Sequence, residues 1–428
     1  MHHRCDFWYV LVFAMTTGSL QRGFAQEALR SAQQSDASAR LRERPVVRST
    51  EEPLRIGPVT FDIATGYSLE ASDNIRYTEN NRESDLIQRP SMHLGIAYGA
   101  SRQSQLNLNV GFGYEDYISH SELDRFFVTP GSEVAFDVRF GSSGTVTVFD
   151  RFDYSQDVTS EGALSGVAKF PRLQNTVGLR SIWKSGKWVW QTDYSHLNVI
   201  ETGDESGTES FDHLERADEQ FFGRAARRFD FPVQAGLEAS ASLSDYVQPT
   251  QRDRNTITAG PFLKWTAADA LEVTVRGGVA HTVFQSTNSA MEDSDLESYY
   301  VGFQVHHRLT KYIDYGFSAT HDIQAGINTG TDYIESTQLT LDVNWKMLRY
   351  LDLAARVFGE DSKEARVSQF SGPGGDKYRR LGVDFNASYQ LTRHFSVFSR
   401  YAFVVKDSDE DLRSYTENKV TVGANYRY

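Results

Sequence analysis

Apolar and polar positions alternate with a period of two along most of the chain, the mark of strands with one apolar and one polar face. In LNLNVGFGY (106–114), Leu106, Leu108, Val110, Phe112 and Tyr114 share one face, and Asn107, Asn109, Gly111 and Gly113 share the other. LTLDVNWK (339–346) sets Leu339, Leu341, Val343 and Trp345 against Thr340, Asp342, Asn344 and Lys346. LGVDFNASY (381–389) and the final segment, where Val420, Val422, Ala424, Tyr426 and Tyr428 oppose Thr421, Gly423, Asn425 and Arg427, repeat the pattern. The texture begins near residue 59 and runs to the end, weakening only near 212–229 and 252–267.

The connections alternate as well. Short ones fall at 99–103, 140–144, 184–187, 230–232, 266–270, 309–312, 347–350 and 391–394. Longer polar ones fall near 76–86, 116–126, 156–172, 200–213, 246–254, 286–297, 324–332, 360–377 and 406–416, the loop at 360–377 being read as the longest. Eight short turns and nine long loops separate about 18 strands (16–18). A sandwich gives no reason for such regularity, whereas a barrel inserted from one side of a membrane does. In hydrocarbon every backbone amide needs an internal partner, so a spanning sheet must close. The expected fold class is therefore all-β: a closed antiparallel transmembrane β-barrel, apolar outside and polar inside. Tyr98, Tyr114, Trp188, Trp190, Tyr299, Tyr315, Trp345, Tyr350, Tyr389 and Tyr428 sit near strand ends, as interfacial girdles require.

Composition agrees with this picture. The 428 residues include 21 Tyr, 27 Phe and 32 Gly but only 10 Pro, and the net charge of −13 argues against nucleic acid as a partner, which needs a basic face. Residues 1–25 read as a signal peptide: His2, His3 and Arg4, then FWYVLVFAM (7–15), then Gly23 and Ala25 before a cut. Cys5, the one cysteine, lies within it, leaving an exported chain without thiols. Residues 26–56 are polar and lack a sustained apolar face, which predicts a flexible periplasmic segment ahead of the barrel at 57–428. Outer membrane is the expected location.

Two stretches carry a resemblance. The ending NKVTVGANYRY, with alternating apolar residues and a terminal Tyr428, is similar to the C-terminal strand signal of Gram-negative outer-membrane proteins. That likeness implies that Tyr426 and Tyr428 are read by the barrel-assembly machinery. LRIGPVTFDIATGYSLEASDNIRYTEN and SDLIQRPSMHLGIAYG resemble the opening of the beta-barrel porin 2 family, in the Gly-Pro lead-in, the Asp-Asn-Ile at the end of the first strand, and the Ser-Asp and Pro before the next. The resemblance implies a pore, and polysaccharide-export components as partners beside outer-membrane lipid and lipopolysaccharide.

If the apolar faces meet lipid, the opposite faces line a pore. Late in the chain these carry Glu272, Arg276, Asp314, Asp342, Lys346, Asp352, Arg356, Asp384, Arg400 and Arg427, most of them close to a short turn. Mixed signs on neighbouring strands suggest cross-strand ion pairs. His93, Asn107, Asn109, Arg180, Asp193 and Glu238 extend the lining, and the inward aromatics are Phe262, Tyr300 and Phe398. The loops at 200–213, 286–297 and 406–416 are acidic but lack the ordered spacing and closing Glu of a calcium loop. SGPGGD (371–376) lacks the Lys and helix of a phosphate cradle. There is no Gly-x-Ser-x-Gly or His-Glu-x-x-His, and His306 and His307 alternate faces. No catalytic, cofactor-binding or metal residues are expected, and the chain is not read as an enzyme. The expected function is passive passage of hydrophilic solutes, with secreted polysaccharide as a variant. The alternative is a non-conducting surface barrel that contacts partners through acidic loops, which inward-folded loops or a plugged lumen would support.

Overall fold

A computed structural model describes residues 28, 32, 54–155, 158, 161–202, 211–268, 270–285, 294–328, 331–365 and 375–428. The signal-peptide reading of 1–25 and most of 26–53 lie outside them.

Among the described residues the chain is almost wholly strand. In order these are β1 (Leu54–Ile56), β2 (Val59–Ser72), β3 (Asp85–Tyr98), β4 (Ser104–Tyr117), β5 (Arg125–Phe140), β6 (Gly144–Ser155), β7 (Arg172–Ser185), β8 (Trp188–Glu201), β9 (Arg216–Arg228) and β10 (Val233–Tyr246). Then follow β11 (Arg254–Ala268), β12 (Leu271–Phe284), β13 (Ser294–Arg308), β14 (Ile313–Ala325), β15 (Tyr333–Leu348), β16 (Leu351–Ala365), β17 (Lys377–Gln390), β18 (Phe395–Ser408) and β19 (Tyr415–Arg427). From β2 onward each strand pairs antiparallel with the next, and β19 pairs with β2, so 18 strands close a ring. The three-residue β1 folds back on β2, pairing Leu54 with Phe61, ahead of the boundary expected at residue 57.

Closure leaves alternate side chains inside and outside. Leu237, Ile257, Val279, Val301, Leu339 and Val422 stay exposed on the outside, while Glu70, Thr147, Glu238, Thr258 and Ser336 on the inside are buried. This is the reverse of a water-dwelling sheet, and it matches a barrel whose outer surface meets hydrocarbon. Aromatic pairs crowd the short-turn rim outside, as with Phe140 and Trp183 (ring centroids 5.3 Å) and Trp188 and Trp190 (5.9 Å). No helix among the described residues is long and apolar enough to cross a membrane, which says nothing of strands. A ring of 18 strands is wide enough for a lumen.

The ladder breaks once along β5, where Thr129-Pro130-Gly131 loses register with both β4 and β6. Pro130 has no N–H to give the ladder, so a bulge is the outcome expected there. Ser132 mends it locally, its hydroxyl donating to Thr129 O (2.9 Å) and accepting from Gly111 N (3.2 Å).

One expectation is corrected. β16 runs to Ala365 and β17 starts at Lys377, so the connection read as 360–377 shrinks to 366–376; the longest, between Ser155 and Arg172, joins β6 to β7. The strands outlast the sequence pattern because Ser362 pairs with Tyr378 and Lys363 with Lys377, continuing the ladder through charged residues.

Candidate functional site

The lumen has three levels. At the short-turn end, acids and bases meet across neighbouring strands. Asp342 and Arg356 are direct register partners, with Nε 2.5 Å from Oδ1. Arg400 Nε donates to Asp384 Oδ2 (2.6 Å), and Arg427 Nε to Asp62 Oδ1 (2.7 Å), tying β19 to β2 where the ring closes. Glu272 pairs with Lys264 (2.7 Å), Asp314 accepts from Asn344 Nδ2 (3.2 Å), and Lys346 stands opposite Asp352 in register. These side chains keep contact with the lumen: Asp342 is 38% exposed and Arg356 29%. Earlier in the chain, Asn107 donates to Asp137 (3.2 Å), and His93 meets Asn109.

The middle level is a belt across β7–β12. Gln191 donates to Asp193 Oδ2 (2.8 Å), Arg224 Nη1 donates to Gln191 (3.2 Å), and Arg224 Nη2 donates to Glu238 Oε2 (3.0 Å). Arg276 lies 3.7 Å from the other oxygen of Glu238, and Arg180 4.0 Å from Asp193. Phe222 and Phe262 flank the Arg224 guanidinium at 5.0 and 4.7 Å. Above the belt runs a row of hydroxyls, with Ser240 against Thr258 (2.6 Å) and Thr256 against Thr282 (3.0 Å). Ala28 and Ala32 are helical and buried, and Ala32 joins the inward-facing Phe222 and Tyr300 in one apolar cluster, which places it inside the barrel. The polar composition of 26–56 offered no reason to expect that contact.

At the long-loop end the β6–β7 connection turns inward. Its far contacts lie on β16–β18, although β6 and β17 stand seven strands apart by the shorter way round the ring (β5, β4, β3, β2, β19, β18, β17). Val158, Ala163, Leu164 and Phe170 of this loop pack with Tyr77, Phe211, Leu214, Ile327, Ile334, Tyr378 and Tyr415, gathered from right round the ring. Backbone conformation allows the crossing. Gly166 has φ +76°, a left-handed value that suits glycine, and its N–H donates to Tyr77 O (2.9 Å). Gly162 passes so near the wall that a Cβ would meet Glu360 Oε1 at 2.8 Å and Arg380 Nη1 at 3.0 Å. Polar ties complete the seat. Glu161 pairs with Arg172 (3.1 Å), Ser165 Oγ donates to Arg413 O (2.7 Å), and His213 Nε2 donates to Ile327 O (2.8 Å). Lys169 donates to Glu122 O; its burial, with Arg125 nearby, pushes the ammonium pKa down.

Every charged or polar lining residue named from sequence thus has a neighbour in the barrel, and they divide between the rim and the belt. Sequence reasoning missed Gln191, Phe222 and Arg224 in the belt and the whole inward loop. Strict alternation would have put Phe222 and Arg224 inside, but RADEQFFGRAARR (216–228) carries Phe and Arg on both faces. Among the described residues no group of three or more His, Cys, Asp or Glu is arranged to hold a metal ion.

No protein-family profile matches the chain, and no curated protein does either. Solved barrels are similar in shape. The outer membrane protein OpdK of Pseudomonas aeruginosa shares 10% identity over 86% of this chain and 99% of its own, with a TM-score of 0.45. OccK2 of the same organism shares 12% over 86% and 98% (TM-score 0.46), and OccAB2 of Acinetobacter baumannii 12% over 88% and 99% (0.45). Likeness this distant assigns no function.

Proposed function

We propose that the chain is an outer-membrane channel for small hydrophilic solutes, with the short turns in the periplasm and the long loops outside. The observation that carries this reading is the wet, paired charge at the short-turn end, directly behind an outer face that only hydrocarbon suits: Asp342 is 38% exposed inside while Leu341 beside it is 40% exposed outside. A wall with both signs of charge admits and orients polar solutes without trapping them. The crossing loop favours small molecules over a polysaccharide strand, because a polymer would have to displace the packing around Leu164 and Tyr378. The packed mouth also favours a second reading, a barrel that does not conduct and instead presents its acidic loops to partners.

Purified protein refolded into planar bilayers decides between them. The channel reading expects discrete conductance steps, weakly favouring cations given the net charge of −13, and liposome swelling with monosaccharides but not with long oligosaccharides. A correctly folded barrel that gives neither steps nor swelling leaves the surface-barrel reading. For assembly, we assign the insertion signal to Tyr426 and Tyr428. The Tyr428 N–H donates to Ile63 O (2.9 Å) at the closing seam. Replacing Tyr428 should lower insertion and leave conductance per inserted barrel unchanged; normal insertion would remove the assignment.

A further inference from the structure

We propose that Lys406 is a positioning residue that sets the size limit of the lumen by holding the β6–β7 loop on the far wall. The inference rests on the channel reading above for its functional half, and on geometry alone for its structural half. Lys406 lies on the inward face of β18, and its side chain and that of Asp376 are both 0% exposed. An ammonium has three hydrogens to give. Ala163 O at 3.0 Å and Ser165 Oγ at 2.9 Å accept from it, and Asp376 Oδ2 is its ion-pair partner at 3.3 Å. Two of the three belong to the crossing loop. The Tyr378 ring lies beside the same nitrogen, 4.5 Å from its centroid, and Tyr378 is also part of the apolar cluster that receives Leu164.

The loop therefore meets the wall as a short sandwich. Leu164 enters the apolar cluster while the residues on either side of it are held by one cation. Ser165 passes the connection on, donating to Arg413 O (2.7 Å), so the β18–β19 connection is tied to the same point. Asp376 is anchored independently, accepting from Ser408 Oγ (2.5 Å) with Arg413 Nη1 3.7 Å away. The wall can thus keep its shape without the loop. A buried ammonium stripped of two partners is costly unless water replaces them, and the lumen is the source of that water. Released, the loop would leave the centre of the mouth, because its roots on β6 and β7 lie six and seven strands round the ring from β18.

Lys406→Met keeps the stem and removes the charge, and Asp376 retains Ser408 and Arg413. In refolded full-length protein in vesicles, trypsin cleavage after Lys169 reports the undocked loop, since proteolysis follows the open population when opening is fast. Losing hydrogen bonds to a charged donor should raise that cleavage rate about tenfold or more. The same variant should conduct more per channel and admit larger sugars in swelling assays. Lys406→Arg, which keeps the charge, should restore much of the wild-type size limit. Ser165→Ala removes one loop partner of Lys406 together with the bond to Arg413 O, leaves Lys406 and Asp376 in place, and should shift both readouts in the same direction by a smaller factor. Unchanged cleavage and an unchanged size limit in a Lys406→Met barrel of normal heat-modifiable mobility overturn the proposal. Should that variant fail to insert, unchanged readouts in Ser165→Ala overturn it instead. A wild-type barrel that does not conduct defeats the channel reading, while the cleavage arm still tests the tie.

Discussion

The two ends of the lumen use the same side chains to opposite effect. Near the short turns, Asp342 with Arg356 and Asp384 with Arg400 pair across strands and stay between 24% (Arg400) and 38% (Asp342) exposed. Near the long loops, Lys406 with Asp376 is sealed, and Arg380 with Glu360 nearly so. All of these residues but Asp376, which stands just ahead of β17, arise from one alternating pattern on one continuous sheet. What separates them is the loop that enters from β6–β7 and brings apolar residues with it. Exposed pairs are worth little because water and mobility compete with them. Sealed ones must be satisfied in full, since removing one partner leaves a buried charge. The contrast teaches that the polar face of a strand is not yet an environment; the neighbour above it makes the environment.

That contrast can be broken or sharpened by substitution. Tyr378→Ala, in the sealed half, removes a ring at the centre of the mouth cluster and should cost about 3–5 kcal/mol in urea unfolding from vesicles. A loss under about 1 kcal/mol would mean that the mouth is loosely packed. Gly162→Val should come next, at about 1–3 kcal/mol, because a side chain there meets the Glu360 and Arg380 head groups. Arg400→Ala, in the open half, should cost roughly 0.2–1 kcal/mol while shifting reversal potentials towards cations, since one lumen cation is lost. An unfolding loss as large as that of Tyr378→Ala would erase the distinction between the halves.

The smallest effect concerns pH at the outer rim. Arg76 Nε donates to Glu83 (2.6 Å) and holds that carboxyl below its usual range. For an acid whose pKa is lowered by folding, the stabilisation is complete above the ordinary value of 4.5 and fades as pH falls through the depressed one. Glu83 is largely open to water, so the contribution is slight. Hydrogen exchange at Ile75, whose N–H donates to Glu83 O (2.9 Å), should quicken slightly in that acid range relative to an Arg76→Gln variant. Identical profiles would show that the pair does not hold the β2–β3 connection.

Strands were legible because alternation is local: each residue declares its face by its own chemistry and that of its neighbours. The inward placement of Asp342, Arg356, Asp384, Arg400 and Arg427 follows from the same rule, which is why they could be named together. Their partners were not legible. That Arg427 meets Asp62, 365 positions away, depends on how far the first and last strands slide before they pair. The β9 segment misled because Phe221 faces outward and Phe222 inward, where it packs against Ala32 and Arg224. The inward loop was hidden for a different reason. Val158, Leu164 and Phe170 belong to no alternating run, and nothing local states that a loop will fold into the ring rather than away from it.

The seam between β19 and β2 has a consequence for biogenesis. The first and last barrel strands must find one another, so the ring is incomplete until β19 has been translated and delivered. Joining ends so far apart carries the greatest chain-entropy cost in the molecule and should come late and slowly. Until Arg427 reaches Asp62, β2 and β19 are bare margins able to pair with any passing strand. An escort that shields those margins, rather than one that shapes the sheet, is what the nascent polypeptide needs most.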